Sequence, residues 1–210
     1  MNAPTKTSFK RRVFRSISIV IAAASLALLP KARAVIPPPD GGYPNFNTAE
    51  GQKALFSLTA GAANTAVGWY SLSSDTSGGF NTAVGAGTLL FNNADSNTAV
   101  GTAALLLNTT GNSNTAIGTT ALLNNTVGYG NTAIGPSALY SNTEGRFNTA
   151  ICEEALLDNT TGQLNTAIAP AALYRNTTGE NNTAVGYAAL LGNTTGDNNI
   201  AVGSFALSSN

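Results

Sequence analysis

The chain has 210 residues, 43% of them hydrophobic and only 10% charged, with one Cys and no His. Without His there is no Ser-His or Cys-His dyad and no imidazole metal ligand, and a single Cys forms neither an intrachain disulfide nor a thiolate zinc site. The formal charge of zero is unevenly divided: seven of the ten basic residues precede residue 35, leaving three against ten acidic ones, which argues against nucleic acid as a partner.

Residues 1–15 are basic, the stretch from Ile17 to Leu29 is apolar, and Ala32-Arg33-Ala34 supplies a small-x-small cleavage site. This is the three-part pattern of a secretory signal peptide over 1–34, and the apolar run is shorter than the roughly 20 residues of a bilayer span. The sequence therefore predicts export, to the extracellular side or bacterial outer surface or into the periplasm, with Val35 as the mature N-terminus. A basic leader serves the general pathway, while Arg11-Arg12-Val13-Phe14 also fits the twin-arginine route. Residues 35–46, VIPPPDGGYPNF, read as a Pro/Gly-rich extended linker.

From residue 47 to 210 one sentence is repeated. Asn-Thr-Ala recurs from Asn47 to Asn182 and ends in the variant Asn-Ile-Ala at Asn199, with a spacing of 17 residues except for one interval of 16. With the first Asn as position zero, the consensus is N-T-A-V/I-G-x-x-A-L-x-x-N-T-T-G-x-x. Ala at position 2 and Leu at position 8 occur in all ten copies; Val or Ile fills position 3 in nine, the exception being Glu50 in the first. A fixed period of this length signals a solenoid with one coil per repeat. Seventeen residues leave no room for two helices and a turn, and the Asn-Thr-Thr-Gly punctuation disfavours helix. Two short strands per coil, Thr-Ala-Val/Ile and a second around Ala-Leu, with Gly at positions 4 and 14 making the turns, give an all-β parallel solenoid of about ten coils. The missing residue falls in Phe91 to Ser96, between strands, where a change of length is tolerated.

Stacked coils put like residues above one another, so Leu, Val/Ile and Ala form apolar columns and the two Asn rows form amide ladders. In a strand, Thr and Val/Ile point to one side and Ala to the other. If Val/Ile fills the roll, the invariant Ala row lines an outer face, as at a tight contact between subunits; the alternative is that this row faces water or lies under the second strand. Cys152 and Ala169 replace Gly at position 4, and Pro136 and Pro170 follow it, so these coils are expected to be locally distorted.

The run N-T-A-V/I-G-x-x-A resembles the head repeats of YadA-like trimeric autotransporter adhesins. It is closer still to the N-T-A-I-G-x-x-A-L-x-x-N-T-T-G arrays of tail-fibre-like bacterial proteins. The resemblance covers residues 47–210 and rests on ten copies in phase. It implies a left-handed β-roll, a homotrimer, and a role as an exported cell-surface adhesin or structural binding module for a host or surface ligand. Neither a coiled-coil stalk nor a membrane-anchor barrel is recognised, so no self-encoded membrane anchor is expected.

The scattered carboxylates offer no acid/base pair facing a cleft, and the repeat lacks the calcium-roll pattern, so no catalysis, metal or cofactor is expected. Glu153, Glu154 and Asp158 beside Cys152 read as a solvated acidic loop. The rival functions are a phage-tail-fibre-like protein and an ice binder. An ice-binding face wants regular hydroxyls two residues apart on one side of a strand, whereas the Thr pairs such as Thr109-Thr110 lie in a turn. Candidate ligand contacts are the aromatics at variable positions: Trp69, Tyr70, Phe80, Tyr129, Phe147 and Tyr187.

Overall fold

The computed structural model describes residues 44–209; the signal peptide expected over 1–34, linker residues 35–43 and Asn210 lie outside the described residues. Ten strands of three residues follow one another: β1 (Thr48–Glu50), β2 (Thr65–Val67), β3 (Thr82–Val84), β4 (Thr98–Val100), β5 (Thr115–Ile117), β6 (Thr132–Ile134), β7 (Thr149–Ile151), β8 (Thr166–Ile168), β9 (Thr183–Val185) and β10 (Ile200–Val202). They stack in chain order into one parallel sheet. The register is like on like, with Thr65 on Thr82, Ala66 on Ala83 and Val67 on Val84, and it runs unbroken to Ala184 on Ala201. Consecutive parallel neighbours require the chain to return once between strands, which the rest of each repeat accomplishes. The result is an all-β parallel solenoid whose sheet is about 43 Å long at about 4.8 Å per coil.

Only the Thr-Ala-Val/Ile segment is a strand. The Ala-Leu segment, expected to be a second one, is a run of turns in every coil, because its alternate residues are left-handed: the position 8 Leu side chains sit on φ values from 49° to 54°. Such a conformation costs a non-glycine residue about 1–2 kcal/mol. It also aims Leu into the roll, where burial contributes about 1.5–3 kcal/mol. These turns still bond from coil to coil: Leu72 N–H donates to the Thr88 carbonyl and Leu122 N–H to the Ala138 carbonyl, each at 3.0 Å.

The core overturns the expected assignment of sheet faces. The position 2 Ala row, from Ala66 to Ala184, is fully buried, while Val67, Val84, Val100, Ile117, Ile134 and Ile168 are each more than a third exposed. The interior holds Leu from the turn arm, Ala from the strand and, in most coils, a second Ala at position 7, such as Ala121 and Ala138. With Leu and a second small residue already filling each coil, the strand contributes its smallest apolar side chain to the interior, and Val/Ile points out. Where Ser71 and Thr88 replace the second Ala, their hydroxyls donate to the carbonyls of Ala83 and Gly101, at 3.0 and 2.8 Å. Burial therefore leaves no polar hydrogen unmet there.

The expected distortion at the two replaced glycines is confined to the backbone angle. Cys152 and Ala169 keep positive φ, 100° and 127°, beside 132° at Gly135 and 131° at Gly186. Ladder register continues through β7 and β8. At this position a Cβ is directed at the carbonyl of the next coil, which is why Gly prevails: one built on Gly68 would overlap the Gly85 carbonyl. At the start of the roll, Pro44–Phe46 forms a tight turn whose Pro44 carbonyl accepts from Asn47 Nδ2 at 2.7 Å.

Candidate interaction surface

The side chains that face solvent fall into columns, because each repeat position recurs above itself. The sheet face carries two of them, half-exposed Thr at position 1 and exposed Val or Ile at position 3, two residues apart on the same side of each strand. At 3.3 Å per residue the two columns are about 6.6 Å apart. The Thr hydroxyls of the far turn are differently engaged. Thr109 Oγ1 donates to the Thr126 carbonyl at 2.9 Å, and Thr126, Thr143, Thr160 and Thr177 repeat the bond to the following coil. Those hydroxyls serve the stack.

The aromatic residues singled out from the sequence are brought together in pairs. Trp69 and Tyr70 meet edge-on with centroids 4.4 Å apart, and Tyr129 and Phe147 do so at 5.1 Å although they lie one coil apart. Tyr187 pairs at 5.2 Å with Phe205, which sequence reasoning did not name; its one-coil spacing from an aromatic in the adjacent column was the available signal. Phe80 stands exposed, outside the aromatic pairs found among the described residues. Two of the three basic residues after residue 35 are held on these rings. Lys53 Nζ lies 5.2 Å from the Phe56 ring centre and 5.1 Å from that of Tyr70, and the Arg146 guanidinium lies 5.8 Å from Tyr129. Cation–π contact of this kind is worth about 0.5–1 kcal/mol at an exposed site. The Trp69 and Tyr187 clusters share one turn of the coil; the Tyr129–Phe147 cluster occupies the other.

Polar order inside the roll comes from the two Asn rows. Along position 11, each Nδ2 donates to the Oδ1 of the preceding coil, from Asn108 on Asn92 at 2.7 Å to Asn193 on Asn176 at 2.9 Å. Along position zero the bond is side chain to backbone: Asn114 N–H donates to Asn97 Oδ1 at 2.9 Å. The expected amide ladders are thus present, and both also draw on the main chain: Asn108 Nδ2 donates to the Gly111 carbonyl as well, and along position zero Asn131 Nδ2 adds an amide-to-amide bond to Asn114 Oδ1 at 3.2 Å.

One shallow depression, lined by Pro44, Asn45, Asn47, Leu55, Leu58, Thr59 and Gly61, lies at the first coil and carries no titratable group. Among the described residues no three His, Cys, Asp or Glu side chains gather into a metal-binding group, and no helix is long and apolar enough to cross a membrane. No protein-family model, curated protein or solved structure matches the chain.

Proposed function

We propose that the protein is an exported cell-surface module of adhesin or structural type, non-catalytic, that works as a homotrimer associated through its sheet face. The observation that carries this reading is the outward Val/Ile column of β2 to β10, exposed except at half-buried Ile151 and Val185, beside the Thr column of β1 to β9. A contiguous apolar stripe of that length is uncommon on a monomer's surface and marks an interaction site. The association seam is thus this outer row, not the Ala row inside the roll. The number three and the adhesin role rest on the resemblance to YadA-like head repeats. The aromatic pairs Trp69–Tyr70, Tyr129–Phe147 and Tyr187–Phe205 lie on the turns beside the sheet, and they are the proposed contacts for a surface ligand.

Sedimentation of the purified mature chain tests the assembly. The wild type should sediment as a trimer at micromolar concentration, and a triple variant Ile117→Arg, Ile134→Arg, Ile168→Arg should sediment as a folded monomer. A wild-type monomer under those conditions removes the main support.

A second reading, ice binding, is favoured by one specific feature: a regular column of Thr hydroxyls lies on the outer side of the strands, although Val/Ile and not a second Thr stands two residues on. It needs the same face uncovered. Thermal hysteresis from a monomeric protein would select it over the adhesin reading.

A further inference from the structure

The two Asn rows converge on one acceptor per coil. In the coil beginning at Asn97, both Asn97 and Asn108 donate Nδ2 to the Gly111 carbonyl, at 2.9 and 2.8 Å. The next coil repeats this at Gly128, and in the shortened coil Ala94 supplies the carbonyl. The first two coils depart from the pattern: Leu58 fills the second slot of the first, and the coil beginning at Asn64 is the other. Asp75 stands in its second Asn slot, so the Gly78 carbonyl receives Asn64 Nδ2 at 2.8 Å and lacks the second donor.

Asp75 is fully buried. Its carboxylate accepts from Gly78 N–H at 2.7 Å, Ser77 N–H at 3.1 Å, Asn92 Nδ2 at 3.1 Å and Asn81 Nδ2 at 3.5 Å. The position 11 ladder, in which every amide donates towards the preceding coil, therefore ends on a negative charge. The turn of the first coil packed against it, residues 57–62, holds no titratable group, and neither does its own turn. The turn that follows contributes Asp95, a second negative charge.

We infer that Asp75 is an acid-operated closure of the amide ladder: once protonated it becomes a donor, fills the open position on the Gly78 carbonyl as Asn does in the later coils, and tightens the first coils of the rod. An acid-stabilised end is the reverse of the usual behaviour, in which paired carboxylates are lost in acid. Burial pushes the Asp75 carboxyl above the ordinary Asp value. The hydrogen bonds from Gly78, Asn92 and Ser77 oppose that, and the Asp95 charge adds to it. With the folded pKa above the unfolded one, the folded state binds the proton more readily. Stability then rises as pH falls through the folded pKa, and the gain is complete below the unfolded value of about 3.9.

Thermal melts of the wild type, Asp75→Asn and Asp95→Asn between about pH 7 and about pH 4 test this. Asp75→Asn should melt about 2–4 °C above the wild type at neutral pH. That gap should close in acid, while Asp95→Asn, which removes a charge of the same sign without filling the slot, should still gain stability in acid, with its midpoint moved towards lower pH. Parallel pH profiles for wild type and Asp75→Asn would overturn the inference, as would an Asp75→Asn protein that melts lower at neutral pH or fails to fold. In the wild type itself, the carboxyl carbon resonance of Asp75 should titrate above about 3.9, and a midpoint below that would also overturn it.

Discussion

Neighbouring residues on one strand should respond oppositely to the same substitution. Ala133 is fully buried between Ala116 and Ala150, and Ile134 beside it is 36% exposed. An Arg at position 133 must seat a long side chain in a core of Ala and Leu, and overpacking alone costs about 1–3 kcal/mol. Its charge has no acidic partner there, which costs several kcal/mol more. The sum is a large part of the roughly 5–15 kcal/mol that holds a domain together. Because each coil leans only on its neighbours, the damage should divide the stack between β5 and β7 rather than spread evenly. Ile134→Arg should change the roll's own stability by no more than about 0.5 kcal/mol, since the side chain already faces outward. Far-UV circular dichroism melts read the difference, and sedimentation shows whether Ile134→Arg changes the assembly. Equal melting losses for the two variants, or a larger loss at Ile134, would refute the assignment of inside and outside.

Leu122→Ala should cost about 2–5 kcal/mol by opening a cavity in the Leu column, whereas Leu207→Ala, at a half-exposed site, should cost far less; thermal melts compare them. Asn125→Leu should strand one hydrogen of Asn142 Nδ2, which donates to Asn125 Oδ1 at 2.8 Å, and remove a donor from the Gly128 carbonyl. A loss of about 1–3 kcal/mol in denaturant unfolding is expected, with new protease cuts near the affected turns. Ala169→Gly should raise the melting temperature, because φ of 127° is a glycine conformation whose strain on Ala is about 1–3 kcal/mol; an unchanged or lower Tm would remove that attribution.

The period, the parallel stacking and the amide ladders were legible because ten copies in phase repeat every chemical requirement, and a requirement that recurs is easily recognised. The sides of the strand were not, since alternation fixes that Ala and Val/Ile point apart without saying which is inside. The decisive clue was present in one residue. Glu50 occupies the Val/Ile position, and a charge is tolerated on an outer row but not opposite a buried Leu, whereas no copy departs from Ala. The second strand was misjudged for a different reason. Ala-Leu carries no local sign of left-handed backbone, and the positive φ at residues such as Leu122 is imposed by the need to turn that side chain into a narrow roll. Of the candidate contacts, the pairing of Tyr129 with Phe147 crosses between adjacent columns, so it emerges only once the coils are stacked.

The shortened coil bears on how such a molecule changes size. With one residue fewer in its turn, the Ala94 carbonyl still receives both amides, at 2.8 Å each, and Ala83 still pairs with Ala99. The coil's identity thus resides in its few inward-facing groups, and the connecting loop absorbs the count. A whole repeat added or removed would accordingly move the far end by about 4.8 Å and leave every remaining interface as it was. Reach is thus set by the number of copies, in steps of one coil, without redesign of the parts.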